Sequence, residues 1–226
     1  MKDFTIRELF SINFGEVEWV IGDTHFSLLI ISLFLIGFAL YVNRRFKKFQ
    51  EVPKGLQNFV EMVVEVFDKF TITTMGEKGK SFSTYFATVF IFLFISNISG
   101  LFALRPPTAD YAIPLGLALI SFFMIQYYGI KSKGIGRYLK GFTEPILFLT
   151  PINIIGELAN PVSLSFRLFG NILGGTVLIA LYYSMPWFLN LGIPAVLHFY
   201  FDLFAGGLQA FVFTILSMVL ITGAMD

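Results

Sequence analysis

The sequence predicts an all-α polytopic membrane protein, and three observations predict it. Hydrophobic residues are 56% of the 226 and charged residues only 14%, with a mean hydropathy of +0.76. A soluble domain of this length leaves too much surface in water to hide that much apolar material. The apolar residues also gather in runs of about 20 or more, the length that crosses a hydrocarbon core. Finally, the two strongly basic segments, Arg44 to Lys48 and Lys131 to Lys140, are separated by two apolar runs and therefore share one side, which the positive-inside rule makes the cytoplasm.

Composition also excludes. There is no Cys, so disulfides, thiolate chemistry and Cys-based metal sites are ruled out. No Gly-rich phosphate loop and no internal repeat is present, which leaves one membrane domain without a nucleotide site, a bound cofactor or a nucleic-acid surface. Lys2 and Arg7 are outweighed by Asp3, Glu8, Glu16, Glu18 and Asp23, so the basic start of a signal peptide is missing. Residues 1–24 are expected outside, with Phe4 to Val20 lying on the membrane surface.

The spans follow in order. Residues 25–42 are the first, stopped by the Arg44 to Lys48 cluster. Residues 53–80 place Phe59, Val63, Val66 and Phe70 among Glu61, Glu65, Asp68 and Lys69, the pattern of an amphipathic helix on the cytoplasmic surface. Residues 82–104 form a second span that ends in an external turn, Arg105-Pro106-Pro107-Thr108-Ala109-Asp110. Residues 112–130 form a third and return to the basic loop. Two overlong apolar stretches remain, 144–184 and 192–224, broken near Met185-Pro186 and Asn190. At about 1.5 Å per residue the first would be about 60 Å long, twice the hydrocarbon thickness. It must tilt strongly, lie near the membrane plane, or break at Pro151 and Pro161. The pair makes a hairpin, with the N-terminus outside and the C-terminus in the cytoplasm.

Both hairpin helices carry polar groups in their middles. At 100° per residue Asn160, Ser163, Arg167, Asn171 and Gly174 fall in one arc with Glu157 at its edge. Arg167 is the only Lys or Arg after Lys140. A guanidinium at membrane depth is opposed by about 2.5–3.5 kcal/mol on insertion scales, and it cannot escape by losing its proton. A carboxylate or water must meet it, either in a structural ion pair between helices or in an ion path. The last helix has its own stripe, His198, Asp202, Gly206 and Gln209. Asp202 is an ionisable group in an apolar run and so a functional candidate. Gln209 can hold water, brace Arg167 across the hairpin, or simply bond between helices. Gly174-Gly175 and Gly206-Gly207 permit close backbone approach. With His25 as its only companion, His198 suits an external mouth better than a metal site.

The run Glu157-Leu-Ala-Asn-Pro-Val-Ser-Leu-Ser-Phe-Arg167-Leu-Phe-Gly-Asn171 resembles the signature helix of F-type ATP synthase subunit a, as does Gly207-Leu-Gln209-Ala-Phe-Val-Phe. Asn97-Ile-Ser-Gly-Leu-Phe with the later Pro107-Thr-Ala-Asp110 resembles that family's second span and external turn. The resemblance implies upright spans plus two tilted helices against a rotating c-ring, within a complex that also holds a peripheral stalk subunit b and the rest of Fo and F1. It implies two offset half-channels that pass H⁺ or Na⁺ to ring carboxylates, with Arg167 as the charge that separates them. Glu157, Asn160, Ser163, Asn171, Thr176, His198, Asp202 and Gln209 would line the paths, in a bacterial plasma membrane.

Three positions depart from the family pattern. Thr176 stands five after Asn171 where relatives carry an acid or His, Asp202 stands seven before Gln209 where His or Glu is familiar, and Asn153 stands where a second acid is common. Hydroxyl and amide groups ligate Na⁺ or order water but shuttle protons poorly, so sodium coupling stays open beside the family's more frequent protons. Thr176 is expected to turn toward Asp202. The alternatives are an independent secondary transporter, disfavoured by the missing repeat, and a purely structural subunit, which leaves Arg167, Asp202 and Gln209 without a role.

Overall fold

The computed structural model describes residues 8–14, 17–46, 49–50, 52–102, 104–144, 146–186 and 192–226. Two antiparallel strands come first, β1 (Glu8–Phe14) and β2 (Val17–Gly22), with Phe14 opposite Val17 and Ile12 opposite Trp19. The membrane part is all helical as expected, and this segment adds a β-hairpin that an all-α reading does not include. Phe10, Ile12 and Phe14 alternate with Ser11 and Asn13, which suits a strand.

Among the described residues, five helical stretches are long and apolar enough to cross a membrane. The first, α1 (Asp23–Phe46), starts before the expected 25–42 and runs into its basic stop. Only 11% of its apolar window is buried, so the rest of the described chain leaves most of its surface open. The next helix, α2 (Leu56–Met75), is not one of the five. It is amphipathic as the 53–80 pattern predicts, but stops at Gly76, whose φ of 72° favours glycine. A short 3₁₀ stretch, Glu77–Phe82, replaces its last part. Buried Phe67, Thr71 and Met75 dock it on the bundle.

Three expected spans become α3 (Ser83–Ile98, with a 3₁₀ turn Ser99–Phe102), α4 (Ala112–Lys133) and α6 (Thr150–Tyr183). Between the last two, where the sequence pattern predicts a basic loop, lies a further helix, α5 (Ile135–Thr143). Consequently α6 starts at Thr150 and not near residue 144. It has 34 residues, about 51 Å at the usual rise, still far beyond an upright crossing of about 30 Å. Neither proline breaks it: Pro151 sits in the first turn, where no amide hydrogen is required, and Pro161 is tolerated inside.

The second hairpin helix has three parts. α7 (Ile193–His198) leads into a π-helical stretch, Phe199–Ala205, and then α8 (Gly206–Met225). The expected break at Met185-Pro186 is present, since α6 ends at Tyr183, while Asn190 lies outside the described residues. Two apolar clusters hold α3, α4, α6 and α8 together. One joins Val89, Leu93, Ala118, Leu164, Leu168, Ala210 and Phe213, and the other joins Phe82, Phe86, Ile125, Met218 and Ile221 to Met75 of α2.

Polar bonds tie the same helices at depth, where no water competes for them. Ser121 and Ser217 hydroxyls lie 3.2 Å apart, as do those of Tyr111 and Ser165. Asn97, fully buried, donates its amide to the Gly206 carbonyl at 2.8 Å and accepts from the Thr108 hydroxyl at 2.8 Å. The approach of α3 to α8 leaves no room for a side chain at Gly206, where a Cβ would meet the Asn97 Cβ at 2.8 Å. Gly206→Ala should therefore lower the thermal stability of the purified protein. Gly223→Ala, with nothing within 4 Å, should leave it within error of the parent when both melts are measured side by side.

Candidate functional site

The buried face of α6 carries Pro161, Leu164, Ser165, Leu168, Ile172, Gly175 and Ile179. On the opposite, exposed face stand Ser163, Arg167 and Gly174, flanked by Val162 and Phe166. Arg167 thus points away from the bundle. Among the described residues it makes no hydrogen bond and no ion pair, so of the roles open to Gln209 the brace to Arg167 is not formed. Gln209 lies 6% exposed inside the bundle, and its Nε2 is a buried donor without a partner. Such groups are rarely left unsatisfied.

Asn160 and Asn171, expected on the Arg167 arc, are both half-buried at its flanks. The Asn171 amide reaches across to the Ala205 carbonyl at 3.3 Å. With Asn97 on Gly206, two side-chain amides bond consecutive carbonyls at the end of the π stretch, where the change of helical period disturbs the regular ladder.

Asp202 sits in that stretch, half-buried. Its Oδ2 lies 2.7 Å from His198 Nδ1, and His198 Nε2 lies 3.2 Å from the Tyr183 hydroxyl at the end of α6. Its carboxylate is so close to Gly100 that a Cβ there would approach it to 2.9 Å. The polar chain Tyr183, His198, Asp202 therefore lies between the two hairpin helices and the 3₁₀ turn after α3. The expected partnership of Thr176 with Asp202 is not seen. Thr176 is exposed and its hydroxyl returns to the Ile172 carbonyl at 2.8 Å, a common escape for threonine in a helix. Its neighbour Gly175 faces the last helix instead, packed under Phe201.

Glu157 lies at the other end, half-buried, and accepts a hydrogen bond from Asn160 at 3.3 Å. Both line a cavity of about 820 Å³ walled by α4, α5, α6 and α8, with Lys133, Arg137, Tyr138 and Asn153 among its other polar residues. The Tyr138 hydroxyl donates to Gln126 Oε1. Burial first, and then the negative charge of Glu157, raise the Tyr138 hydroxyl above the ordinary tyrosine range, against the lowering effect of that bond. Tyr138, Asn97 and Tyr183 were missed as site residues. Asn97 is an amide in a strongly apolar span, a signal available in the sequence. Tyr138 gave none, because its segment read as a loop.

Among the described residues no group of three or more His, Asp or Glu could hold a metal ion. These features define an integral, polytopic membrane protein with ionisable side chains held within its apolar helices. Residues 25–222 match the family described as ATP synthase A chain. The chain belongs to that family, a component of the ion-translocating membrane sector Fo. It is 37% identical to "ATP synthase subunit a, sodium ion specific" of Propionigenium modestum over 93% of this chain and 76% of that protein. It is 38% identical to an ATP synthase subunit a of Syntrophotalea carbinolica over 95% of this chain and 89% of that one. Against the subunit of Staphylococcus carnosus the identity is 35%, over 85% of each.

Because the folded Tyr138 pKa is raised, its protonated hydroxyl contributes stability that is complete below the unfolded tyrosine value. That contribution is lost as pH rises through the higher folded value. Glu157→Gln removes one of the raising influences, so the phenolate should form at lower pH. Ultraviolet titration of the full chain, with Tyr138→Phe subtracted to isolate this residue, should show the midpoint moving down. A midpoint unchanged by Glu157→Gln would separate the two groups.

Proposed function

We propose that this chain is the stator side of an ion path through the membrane, with two offset half-channels that meet at a rotating ring of c subunits. Arg167 keeps the paths apart. The observation that carries this reading is an exposed guanidinium with no partner among the described residues, midway along an apolar 34-residue helix. A charge that cannot be neutralised is expelled from lipid unless something compensates it. A carboxylate on a partner subunit, delivered to the open face of α6, supplies that compensation. Ser163 and Gly174 share the face and leave room for close approach.

The remaining polar groups separate into two sets. Tyr183, His198 and Asp202 stand at the end of the hairpin near the external turn and are assigned to the outer path, with Asn171 at its inner limit. Glu157 and Asn160, in the cavity of about 820 Å³, are assigned to the inner path. Gln209 lies between them with a buried donor to spare, suited to an internal water. Thr176 stays a lesser candidate for the outer path, since its hydroxyl is engaged by its own helix. Subunit b and the rest of Fo and F1 would hold the chain still while the ring turns.

Protons are the first reading for the coupling ion. The Asp202 oxygen at 2.7 Å from an imidazole nitrogen is an arrangement that moves protons readily. Sodium is the second, favoured by the relative described as sodium ion specific. ATP hydrolysis by the purified complex, measured against Na⁺ concentration, decides between them: stimulation by Na⁺ at neutral pH removes the proton reading.

Arg167→Ala should abolish ion-driven ATP synthesis while the complex still assembles. Synthesis at a tenth of the parent rate or more would sink the assignment. Arg167→Lys should be nearly as damaging, because an ammonium lacks the planar fork. Asp202→Asn should slow passive ion conduction severalfold in complexes stripped of their soluble head, without releasing the subunit. Unchanged conduction would take Asp202 out of the path. The orientation, N-terminus outside, is tested in this Cys-free chain with single cysteines at exposed positions. An impermeant thiol reagent added outside should label Ala112→Cys and spare Gly136→Cys, and the reverse pattern inverts the topology.

A further inference from the structure

The chain leaves α4 at Gly134, whose φ of 78° turns it sharply into α5. The depth of that turn in the membrane is marked by aromatic rings carrying cations. Lys131 stands 5.7 Å from the Tyr127 ring centre and 5.8 Å from that of Tyr128, and on α1 Arg45 stands 5.2 Å from that of Tyr41. Such pairs occupy the boundary between hydrocarbon and headgroups. Beginning two residues after Lys133, α5 continues in that layer.

Its nine residues divide by side. Tyr138 and Phe142 turn inward, with Tyr138 packed so tightly on Gly129 that a Cβ there would meet its ring at 2.7 Å. Ile135 and Leu139 lie adjacent on the helix surface, 66% and 60% exposed, and the apolar exposure continues into Leu147 and Phe148 at 75% and 84%. Arg137 and Lys140 occupy the opposite side at 100° per residue. From Lys131 to Lys140 there are four basic residues and no acidic one. Lys140 has Glu144 at 3.9 Å. Lys133 and Arg137, in contrast, make no hydrogen bond or ion pair among the described residues, and both line the cavity that also holds Glu157. An outward apolar edge on one side of α5 and cations without an ion pair on the other, at headgroup depth, match a phospholipid of negative charge: acyl chains for the first, phosphate for the second.

We propose that α5 and the Leu147–Phe148 segment form a binding surface for anionic phospholipid, with the headgroup phosphate held by Lys133 and Arg137. Ile135, Leu139 and Phe148 then seat among the acyl chains. The proposal goes beyond the ion path but draws on the cavity given to its inner half with Glu157; it needs only that the chain is membrane-embedded, so it survives or fails independently of the role given to Arg167.

The test uses Leu139→Cys in the full, otherwise Cys-free chain, labelled with a fluorophore and reconstituted into phosphatidylcholine vesicles. These carry equal small fractions of brominated phosphatidylglycerol or brominated phosphatidylcholine. A basic residue near an anionic surface is worth a factor of about five in local lipid enrichment, so the anionic quencher should act severalfold more strongly. Lys133→Gln with Arg137→Gln should bring the two lipids to parity while quenching itself persists. The charge-conserving pair Lys133→Arg with Arg137→Lys should retain the preference. Equal quenching by both lipids in the parent protein overturns the proposal, as does a full preference retained by the neutral pair. Absence of quenching by either lipid also overturns it, since that face would then be covered by protein, whether a second copy or another subunit.

Discussion

A guanidinium keeps its charge in any surroundings a protein can offer, and much of this structure is arranged around the position of one. Arg167 stands on an exposed apolar face among Val162, Phe166 and Leu173, with no partner among the described residues. In water that would be unremarkable, but at membrane depth it opposes insertion unless a counter-charge arrives. The helix bearing it can tolerate the charge because its other face is firmly held. Leu164, Leu168 and Ile172 are packed in the bundle, and transfer of the helix's long apolar run out of water offsets one exposed cation. The division of α6 into a fixed side and an open side is what the proposed passage of a partner subunit requires.

Holding that side still requires more than apolar contact, because lipid tails are as apolar as the side chains they would replace. Directional bonds supply the difference. Asn97 joins α3 to the Gly206 carbonyl and to Thr108 in the turn before α4. Asn171 joins α6 to the Ala205 carbonyl, and two serine–tyrosine or serine–serine contacts join α4 to its neighbours. Glycines at 206 and 207 let α3 approach, with Phe94 and Asn97 occupying the space that side chains would fill. The π-helical turn lies where these constraints meet. It carries Asp202 toward Gly100 and His198, so packing and polar chemistry share one location.

Much of this was legible in the sequence. Lipid requires backbone groups to be satisfied within a segment, so long apolar runs had to be helices, and their number and order followed. Basic clusters bounded the first and third spans. Arg167, Asp202 and Gln209 were recognisable because a polar group in an apolar run has to have a reason. What pattern could not decide was every relation between elements. Helical spacing put Asn171 with Arg167, yet the amide turns to the last helix; spacing put Thr176 toward Asp202, yet its hydroxyl closes on its own backbone. Gln209 was a reasonable brace for Arg167 and is instead buried without a partner for its amide nitrogen.

By itself, then, the sequence determined which segments are helices in a membrane and which residue carries an inescapable charge, since both follow from local composition and from the free energy of transfer into lipid. Tertiary structure decided the rest. It made a β-hairpin of residues 8–22, a helix of the basic loop at Ile135–Thr143, and a continuous rod of α6 through Pro161. It also chose His198 and Gly100 as the surroundings of Asp202. These outcomes depend on which surfaces meet, and a side chain's partner is fixed by elements distant in sequence, at separations no periodicity encodes.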